Sequence, residues 1–265
     1  MSAADGALLP TAGSRSVDRA LQILVLVAKA DHPLRFSDLQ RATGIAKGTL
    51  HGILQSLEAA RFLQSSTEGF SVGLAAFEVG TAVPVLRSVR ANADFALDEL
   101  FARTHETIHF GTLVEGDVLY LSRRDSTYDL RSASRIGDRK PAYGTALGKA
   151  MLALLDDAAV EALYPPELVP LTPNTVTSRD ALIEELRRCR TRGLASESEE
   201  STLGVRCLGM AVEANGQLFG LSLTVPVHRT SAAELEQLGP LLKAAAHDLA
   251  ITLHAGSWLG VLETR

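Results

Sequence analysis

The sequence has few cysteines and no long apolar run, the features on which disulfide-rich and membrane-spanning proteins depend. Only two of its 265 residues are cysteine, and aromatic residues make up 5%. Two cysteines cannot build a disulfide framework, so the composition favours a reducing compartment such as the cytoplasm. The longest apolar runs, such as LQILVLVAKA, contain polar residues and are too short to cross a bilayer. Residues 1–13 lack the charged and apolar regions of a signal peptide and are expected to be a disordered tail.

The charge is unevenly distributed along the chain. The formal net charge is −5, yet residues 14–71 contain seven basic and five acidic side chains, which gives this segment +2 and leaves −7 for the rest. This is the sign expected if only the first segment contacts a polyanion.

Residues 14–75 have the pattern of a winged helix-turn-helix domain. SVDRALQILVLVAKA has apolar residues at helical spacing, with Ser16 as the expected N-cap. FSDLQRATG predicts a short helix capped by Ser37 and ended by Gly44, and IAKGTLHGILQSLEAARF predicts a third helix. The strand-like runs RFLQSS and GFSVG, joined by TEG, predict the hairpin that forms the wing.

The third helix is expected to lie in the major groove with its N-terminal end toward the bases. Lys47 would contact phosphate or guanine, Gln55 would contact adenine, and the glycines would allow close approach. An ordinary helical bundle with a solvated third helix is the alternative, but the wing, the N-terminal position and the local charge favour DNA binding. The expected DNA contacts are Ser37, Lys47, Gly48, Thr49, His51, Gly52 and Gln55.

The rest of the chain predicts a linker and an α+β domain. Residues 76–93 are expected to form a linker helix, with a bend near Pro84, and residues 94–257 to form the second domain. TIHFGTLV and VLYLSRRD predict one hairpin, and CLGMAVEANGQLFGLSLTVPV predicts a second that turns at Asn215-Gly216. DLRSASRIG is a weaker strand; TALGKAMLALL, SRDALIEELRRCRTRG and the long closing segment predict helices. An antiparallel sheet with helices packed on it is typical of a sensor domain.

The segment His105-Glu106-Thr107-Ile108-His109 has the letters of the zinc-protease motif H-E-x-x-H. That motif requires a helix, whereas the β-branched alternation from Thr107 onward predicts a strand. In an extended chain the two histidines would be about 13 Å apart, too far to share one zinc. We therefore expect no metal site here.

GTALGKAM, residues 144–151, is similar to a phosphate-binding loop but has one residue too few between its glycines. Ala150 also replaces the magnesium-binding hydroxyl residue that should follow Lys149. Lys149 is better explained as a helix residue beside a bound anion or an internal carboxylate.

Together these segments resemble the isocitrate-lyase-regulator (IclR) family of bacterial transcription factors, over residues 15–256. The resemblance rests on the helix-turn-helix sequence, PAYGTALGKAMLALL, GLASESEESTLGVRCLGMAV and GLSLTVP. It implies a winged-helix DNA-binding domain, a linker helix and a GAF-like effector domain. It also implies dimers, often paired into tetramers, that bind palindromic or repeated operators.

The resemblance further implies an effector pocket beside the TALGKA helix. The acid group of the ligand would meet the backbone amides around Ala146 and Leu147, with side-chain contacts from Glu197, Cys207, Ser222 and Thr224. Glu197 stands where aspartate is usual, and Ser222-Leu223-Thr224 replaces a more common serine pair, so the resemblance does not identify which ligand binds. Gly52 and Gln55 likewise stand where basic residues are frequent, which predicts a different operator.

Other roles are open for each pocket residue. Cys207 is either a ligand contact or a buried small hydrophobe, and Cys189 is expected in the core. Ser222 and Thr224 share one face of a strand, where they line a pocket or satisfy each other. For Glu197 the alternative to a pocket residue is a solvated acid on the surface, as part of the SESEE run.

The sequence thus predicts a DNA-binding transcriptional regulator that senses a small, carboxylated metabolite and needs no cofactor or metal. One alternative is an enzyme whose second domain uses Cys207 or His109 as a catalytic group, although no base–nucleophile pair is apparent. Another is a ligand-independent architectural DNA binder, which the size of the second domain disfavours.

Overall fold

The computed structural model describes residues 13–128 and 134–255, without the side chains of residues 84–88 and 255. The chain divides into two compact units, residues 1–83 and 84–265. Residues 1–12 of the expected tail and residues 129–133 of the weaker strand lie outside the described part. None of the described helices is long and apolar enough to cross a membrane.

The first unit is a winged helix-turn-helix. Ile23 of the first helix, Leu39 of the second, Leu50 and Leu54 of the third and Leu63 of the wing are buried together in its core. The elements are α1 (Arg15–Lys29), α2 (Phe36–Thr43), α3 (Lys47–Ala59), the antiparallel strands β1 (Leu63–Ser65) and β2 (Phe70–Val72), and α4 (Leu74–Thr81).

The helix starts differ from the two predicted caps. Helix α1 begins one residue before Ser16, and α2 begins at Phe36, so both serines lie inside their helices. In α2 the carboxylate of Asp38 accepts a hydrogen bond from the Arg35 amide at 3.2 Å. This hydrogen bond helps to make Arg35 the N-cap residue of α2, two residues before the predicted N-cap Ser37. The predicted helix end is confirmed, since Gly44 is left-handed with φ 65°.

Residues 76–93 are shared between α4 and α5 (Pro84–Thr104). The interruption lies at residues 82–83, beside the proline that the sequence indicated. Proline suits the first position of a helix because its missing N–H needs no partner there. The domain limits at residues 13, 75 and 93 stay predictions.

The second unit is built on a six-stranded antiparallel sheet with the order β5-β4-β3-β8-β7-β6. One face packs against α5 and α10, and the other packs against α6 and α8. Its elements are β3 (Thr107–Val114), β4 (Asp117–Arg124), β5 (Arg139–Pro141), α6 (Ala146–Leu152), α7 (Asp157–Leu163), α8 (Arg179–Arg192), β6 (Ala195–Ser198), β7 (Val205–Ala214), β8 (Gln217–Pro226), α9 (Ala232–Glu236) and α10 (Gly239–Ala255).

Both predicted hairpins are confirmed. Their two-residue turns, Glu115-Gly116 and Asn215-Gly216, have positive φ at both positions, as the right-handed twist of paired strands favours. Ser134–Gly137, predicted as part of a strand, form none, and β4 pairs with β5 instead. The closing helix is divided into α9 and α10, because Pro240 requires a place in the first turn of a new helix.

Candidate functional site

Helix α3 buries one side and exposes the other. Leu50, Ile53 and Leu54 are buried, whereas all seven expected DNA contacts are exposed to solvent. The spacing of four residues places Lys47, His51 and Gln55 along one stripe of the helix surface. The exposed set is Ser37 on α2 and Lys47, Gly48, Thr49, His51, Gly52 and Gln55 on α3. Their contact with DNA stays a prediction.

The two glycines of α3 are not explained by packing within the described structure. A Cβ atom built at Gly48 or Gly52 has no neighbour within 4 Å. Glycine inside a helix costs about 1 kcal/mol relative to alanine, so the helix itself gains nothing from either residue. The glycines do leave room for a partner that approaches the helix closely.

The second unit contains a cavity of about 100 Å³ beside the N-terminal end of α6. This is room for several water molecules or for a metabolite of a few carbon atoms. All six residues that the resemblance assigned to a ligand line this one cavity: Ala146, Leu147, Glu197, Cys207, Ser222 and Thr224.

The wall formed by α6 depends on glycines that let the helix pack closely against the sheet and against the turn that precedes it. A Cβ atom at Gly209 of β7 would lie 2.2 Å from the carbonyl oxygen of Ala146, and one at Gly148 would lie 2.2 Å from that of Ala142. Only glycine permits both approaches. Thr145 caps the helix, since its hydroxyl accepts the Gly148 amide at 2.9 Å, and it also lines the cavity.

The floor of the cavity is a row of polar side chains across four strands. Glu197 lies opposite Cys207, and Cys207 lies opposite Thr224 in the antiparallel register. Cys207 Sγ is 3.2 Å from Thr224 Oγ1, which is 3.5 Å from His109 Nδ1 on β3. Ser222 lies opposite His109. Register therefore assembles in space a set of residues that are far apart in the chain.

Glu197 is a buried acid and not a solvated one, because its exposed fraction is 4%. Its carboxylate accepts the Glu200 amide at 2.9 Å and the Ser201 hydroxyl at 3.3 Å. Burial raises the pKa of Glu197, and the hydrogen bond from Cys207 and those from Glu200 and Ser201 oppose the rise. The alternative of a surface acid in the SESEE run is wrong.

Several cavity residues were not predicted. His109, Tyr120, Ser134, Lys140, Ser201 and Thr202 also line the cavity. Tyr120 and Lys140 lie on β4 and β5, and their positions depend on pairing between strands distant in sequence. The sequence indicates His109 only as a metal ligand or a catalytic group. The alternation of β3, which puts His109 on the same face as Thr107 and Gly111, was the available signal.

Lys149 holds the structure behind the cavity together and is not part of a phosphate-binding loop. Its side chain is fully buried, and Nζ lies 2.7 Å from carboxylate oxygens of Glu185 on α8 and Glu200. The ammonium group is therefore paired twice. The predicted internal carboxylate is confirmed.

The residues of the H-E-x-x-H segment are not helical. Helix α5 ends at Thr104, His105 has φ 55°, and β3 begins at Thr107, as predicted. The Glu106 carboxylate is bound by Arg229 Nη2 at 2.5 and 2.6 Å. Among residues 13–128 and 134–255, no three His, Cys, Asp or Glu side chains are grouped as a metal site would require.

The groups proposed for the enzyme alternative are poorly suited to catalysis. Burial and the neighbouring Glu197 raise the pKa of the Cys207 thiol, so it remains protonated. Burial and the nearby cations Arg123 and Lys140 lower the pKa of His109 to about 3. An imidazole with such a pKa is a weak base. Cys189 is buried among apolar side chains, as expected.

Comparison with known proteins agrees with this architecture. The family model for the IclR helix-turn-helix domain matches residues 16–66, and the model described as bacterial transcriptional regulator IclR, C-terminal, matches residues 83–251. The latter match spans more than half of the chain.

Relatives of known function and structure are similar over most of their length. The transcriptional regulator XynR of Escherichia coli K12 is 33% identical over 236 residues, 87% of this chain and 94% of that protein. KdgR of the same strain is 32% identical over 224 residues, which cover 83% of this chain and 85% of KdgR. The crystal structure of an IclR homologue from Microbacterium hydrocarbonoxydans, complexed with 4-hydroxybenzoate, superposes with a TM-score of 0.78 at 19% identity, covering 91% of this chain and all of that one. The chain thus belongs to the IclR family of transcriptional regulators, with an N-terminal helix-turn-helix domain for DNA and a C-terminal domain for an effector.

Proposed function

We propose that the effector is a small organic acid and that it binds in the cavity beside α6. The observation that carries this proposal is the convergence of six residues from three separate segments on a single cavity of about 100 Å³. The pocket is small, and most of its lining residues are polar, which suits a compact metabolite with several hydrogen-bonding groups. The solved relative with 4-hydroxybenzoate supports a carboxylate as the ligand of this fold.

Operator DNA is bound through the exposed face of α3. Lys47 supplies a positive charge for a phosphate or a guanine, and Gln55 on the same stripe supplies an amide for adenine. Gly48 and Gly52 let the backbone approach the DNA. Ser37 on α2 supplies a hydroxyl for the phosphate backbone.

The regulator works as a dimer or a tetramer in the cytoplasm and catalyses no reaction. Helix α4 of the first unit exposes the apolar residues Leu74, Phe77 and Val79, which supports self-association through this unit. The acid must bind one arrangement of the assembly better than another, because equal affinity for both would shift nothing. Changing the distance between two α3 helices then changes the operator half-sites that they can span.

Fluorescence anisotropy with the full-length protein tests this function. The DNA fragment upstream of its own gene is titrated, first at rising salt and then with small carboxylic acids. We expect a fragment-specific complex that weakens with salt and whose affinity shifts with at least one acid. Binding no tighter than to random DNA would contradict the operator proposal for that fragment. Specific binding that no acid alters would contradict the effector proposal.

A further inference from the structure

His109 lines the cavity, and only one of its two ring nitrogens has a hydrogen-bonding neighbour among the described residues. Its side chain is buried, with an exposed fraction of 3%. Nδ1 has Thr224 Oγ1 as its neighbour, while Nε2 is buried without a hydrogen-bond partner among the described residues. A buried polar atom without a partner is costly, so a group that could satisfy it is worth identifying.

The polar row determines which kind of group His109 needs. Glu197 accepts hydrogen bonds from the Glu200 amide and the Ser201 hydroxyl, as a carboxylate does. Since a carboxylate only accepts, the hydrogen bond between Cys207 and Glu197 requires the S–H to be the donor. Cys207 Sγ is 3.2 Å from Thr224 Oγ1, and that oxygen is 3.5 Å from His109 Nδ1. With the S–H donated to Glu197, we infer that the sulfur accepts from the Thr224 hydroxyl and that the Thr224 oxygen accepts from His109 Nδ1–H.

This direction leaves Nε2 of a neutral imidazole as a hydrogen-bond acceptor. Burial keeps His109 neutral near pH 7, because it lowers the pKa to about 3. The missing partner is therefore a donor. A hydroxyl group on a ligand can supply that donor, whereas a ketone or a methylene group cannot.

Lys140 gives the same cavity a positive charge. Its Nζ donates to Thr202 Oγ1 at 3.3 Å, and both residues line the cavity. No carboxylate of the described residues forms an ion pair with it. Lys140 lies on β5, on the segment that leads into α6, and its amine is half-buried. A partly buried cation of this kind is stabilised by an anionic ligand.

We propose that the ligand of this cavity is a hydroxylated carboxylic acid, with Lys140 binding its carboxylate and His109 Nε2 accepting from its hydroxyl. The inference rests on the proposed function, since it takes the same cavity as the effector site. It adds two specificity-determining residues and excludes oxo and deoxy analogues as preferred ligands.

Isothermal titration calorimetry of the full-length protein with matched acids tests this inference. The probes are lactate, pyruvate, propionate and lactamide; 3-hydroxybutyrate, 3-oxobutyrate and butyrate; and 4-hydroxybenzoate, benzoate and 4-hydroxybenzamide. In at least one set the hydroxy acid should bind about tenfold tighter than its oxo or deoxy analogue, the factor for one hydrogen bond to a buried acceptor. No binding by any acid, or a preference for the oxo or deoxy acid, would overturn the inference.

Two variants test whether His109 causes the preference for the hydroxyl group and Lys140 the preference for the carboxylate. His109→Phe should remove the preference for the hydroxyl and leave the affinity for the deoxy acid within about twofold. Lys140→Met should weaken the acids about tenfold and leave the amide unchanged. The control variants are His228→Phe, at an exposed histidine in the turn after β8, and Arg139→Met, whose native side chain pairs with Glu115 and Asp117 away from the cavity.

His109→Gln keeps the inference testable if the phenylalanine does not fit. The amide of glutamine can present either a donor or an acceptor, so this variant should bind hydroxy and oxo acids with similar affinity. A hydroxyl preference that persists in both His109 variants would show that another residue causes it and would overturn the assignment.

The same acids in the DNA anisotropy assay separate the two proposals. If the hydroxy acid binds with the expected selectivity and leaves operator affinity unchanged, the effector proposal fails and the ligand inference stands. If operator affinity responds equally to hydroxy, oxo and deoxy acids, the ligand inference fails and the effector proposal stands.

Discussion

Lys149 Nζ lies 2.7 Å from a Glu200 carboxylate oxygen although the lysine side chain is completely buried. The same nitrogen is equally close to Glu185, so one cation joins α6 to α8 and to the segment that follows β6. Burial alone would lower the pKa of Lys149, but the two carboxylates outweigh it and raise the pKa. The ion cluster therefore fixes the rear of the cavity wall.

Lys149→Met should destabilise the second unit by about 3 kcal/mol or more. It leaves two partly buried carboxylates without their cation, and breaking a buried pair from one side is costlier than replacing the whole pair. Urea unfolding followed by circular dichroism measures the change. Lys243→Met, at an exposed lysine of α10, is the matched control and should change stability little. A loss below about 1 kcal/mol would contradict the structural role of Lys149.

Gly48→Ala and Gly52→Ala should each stabilise the protein by about 0.5–1 kcal/mol and weaken its binding to operator DNA. The stability gain follows from helix propensity, because the added methyl group meets nothing within 4 Å. The loss of affinity follows if DNA occupies that space. Thermal unfolding and anisotropy measure the two effects. Gly80→Ala in α4 is the control, with the same open space and no expected loss of DNA affinity. Unchanged operator affinity in both α3 variants would contradict the close approach of DNA.

Lys47→Ala should reduce the slope of log affinity against log salt concentration by about 1, and it should do so on any DNA sequence. Gln55→Ala should leave that slope unchanged and relax the preference at one base pair instead. Anisotropy at several salt concentrations, on operator and random DNA, measures both quantities. If both variants alter only the salt slope, Gln55 makes no base contact.

His109 should make stability fall as the solution becomes acidic. Its pKa is about 3 in the folded protein against 6.5 for an ordinary histidine, so the unfolded chain binds more protons between these values. Stability is thus complete above pH 6.5 and declines as the pH falls toward 3, by up to about 1.4 kcal/mol per pH unit. Urea unfolding from pH 5.0 to 7.0 should show this component in the native protein and not in His109→Phe. Equal slopes for the two proteins would contradict a neutral, buried His109.

Sequence patterns over a few residues predicted the helices and turns whose formation depends mainly on neighbouring residues in the chain. The turn at Asn215-Gly216 was predicted because asparagine and glycine both favour positive φ, whereas at Glu115-Gly116 only the glycine does. The buried side of α3 followed from apolar spacing. The caps at Ser16 and Ser37 were wrong because a hydroxyl residue is only one of several ways to begin a helix, and Asp38 provides another.

The cavity was predicted only as far as the resemblance extended. It supplied Glu197, Cys207, Ser222 and Thr224, whose proximity depends on strand order. Nothing in the local sequence indicates that Lys140 of β5 reaches Thr202 in the segment between β6 and β7, or that β3 lies next to β8 and so brings His109 to Thr224. Such neighbours are determined by strand order and register, which short motifs do not encode.

The segment between β6 and β7 has a further consequence for binding kinetics. Glu197, Lys149 and the hydroxyls of Thr172 and Thr175 hold residues 199–201 before any ligand arrives. The conformational entropy of this wall is lost when the chain folds and not when a ligand binds, so the cavity is preorganised. An effector that enters it gains affinity from its own contacts without first ordering a loop, and we expect its on-rate to be limited by access to the cavity.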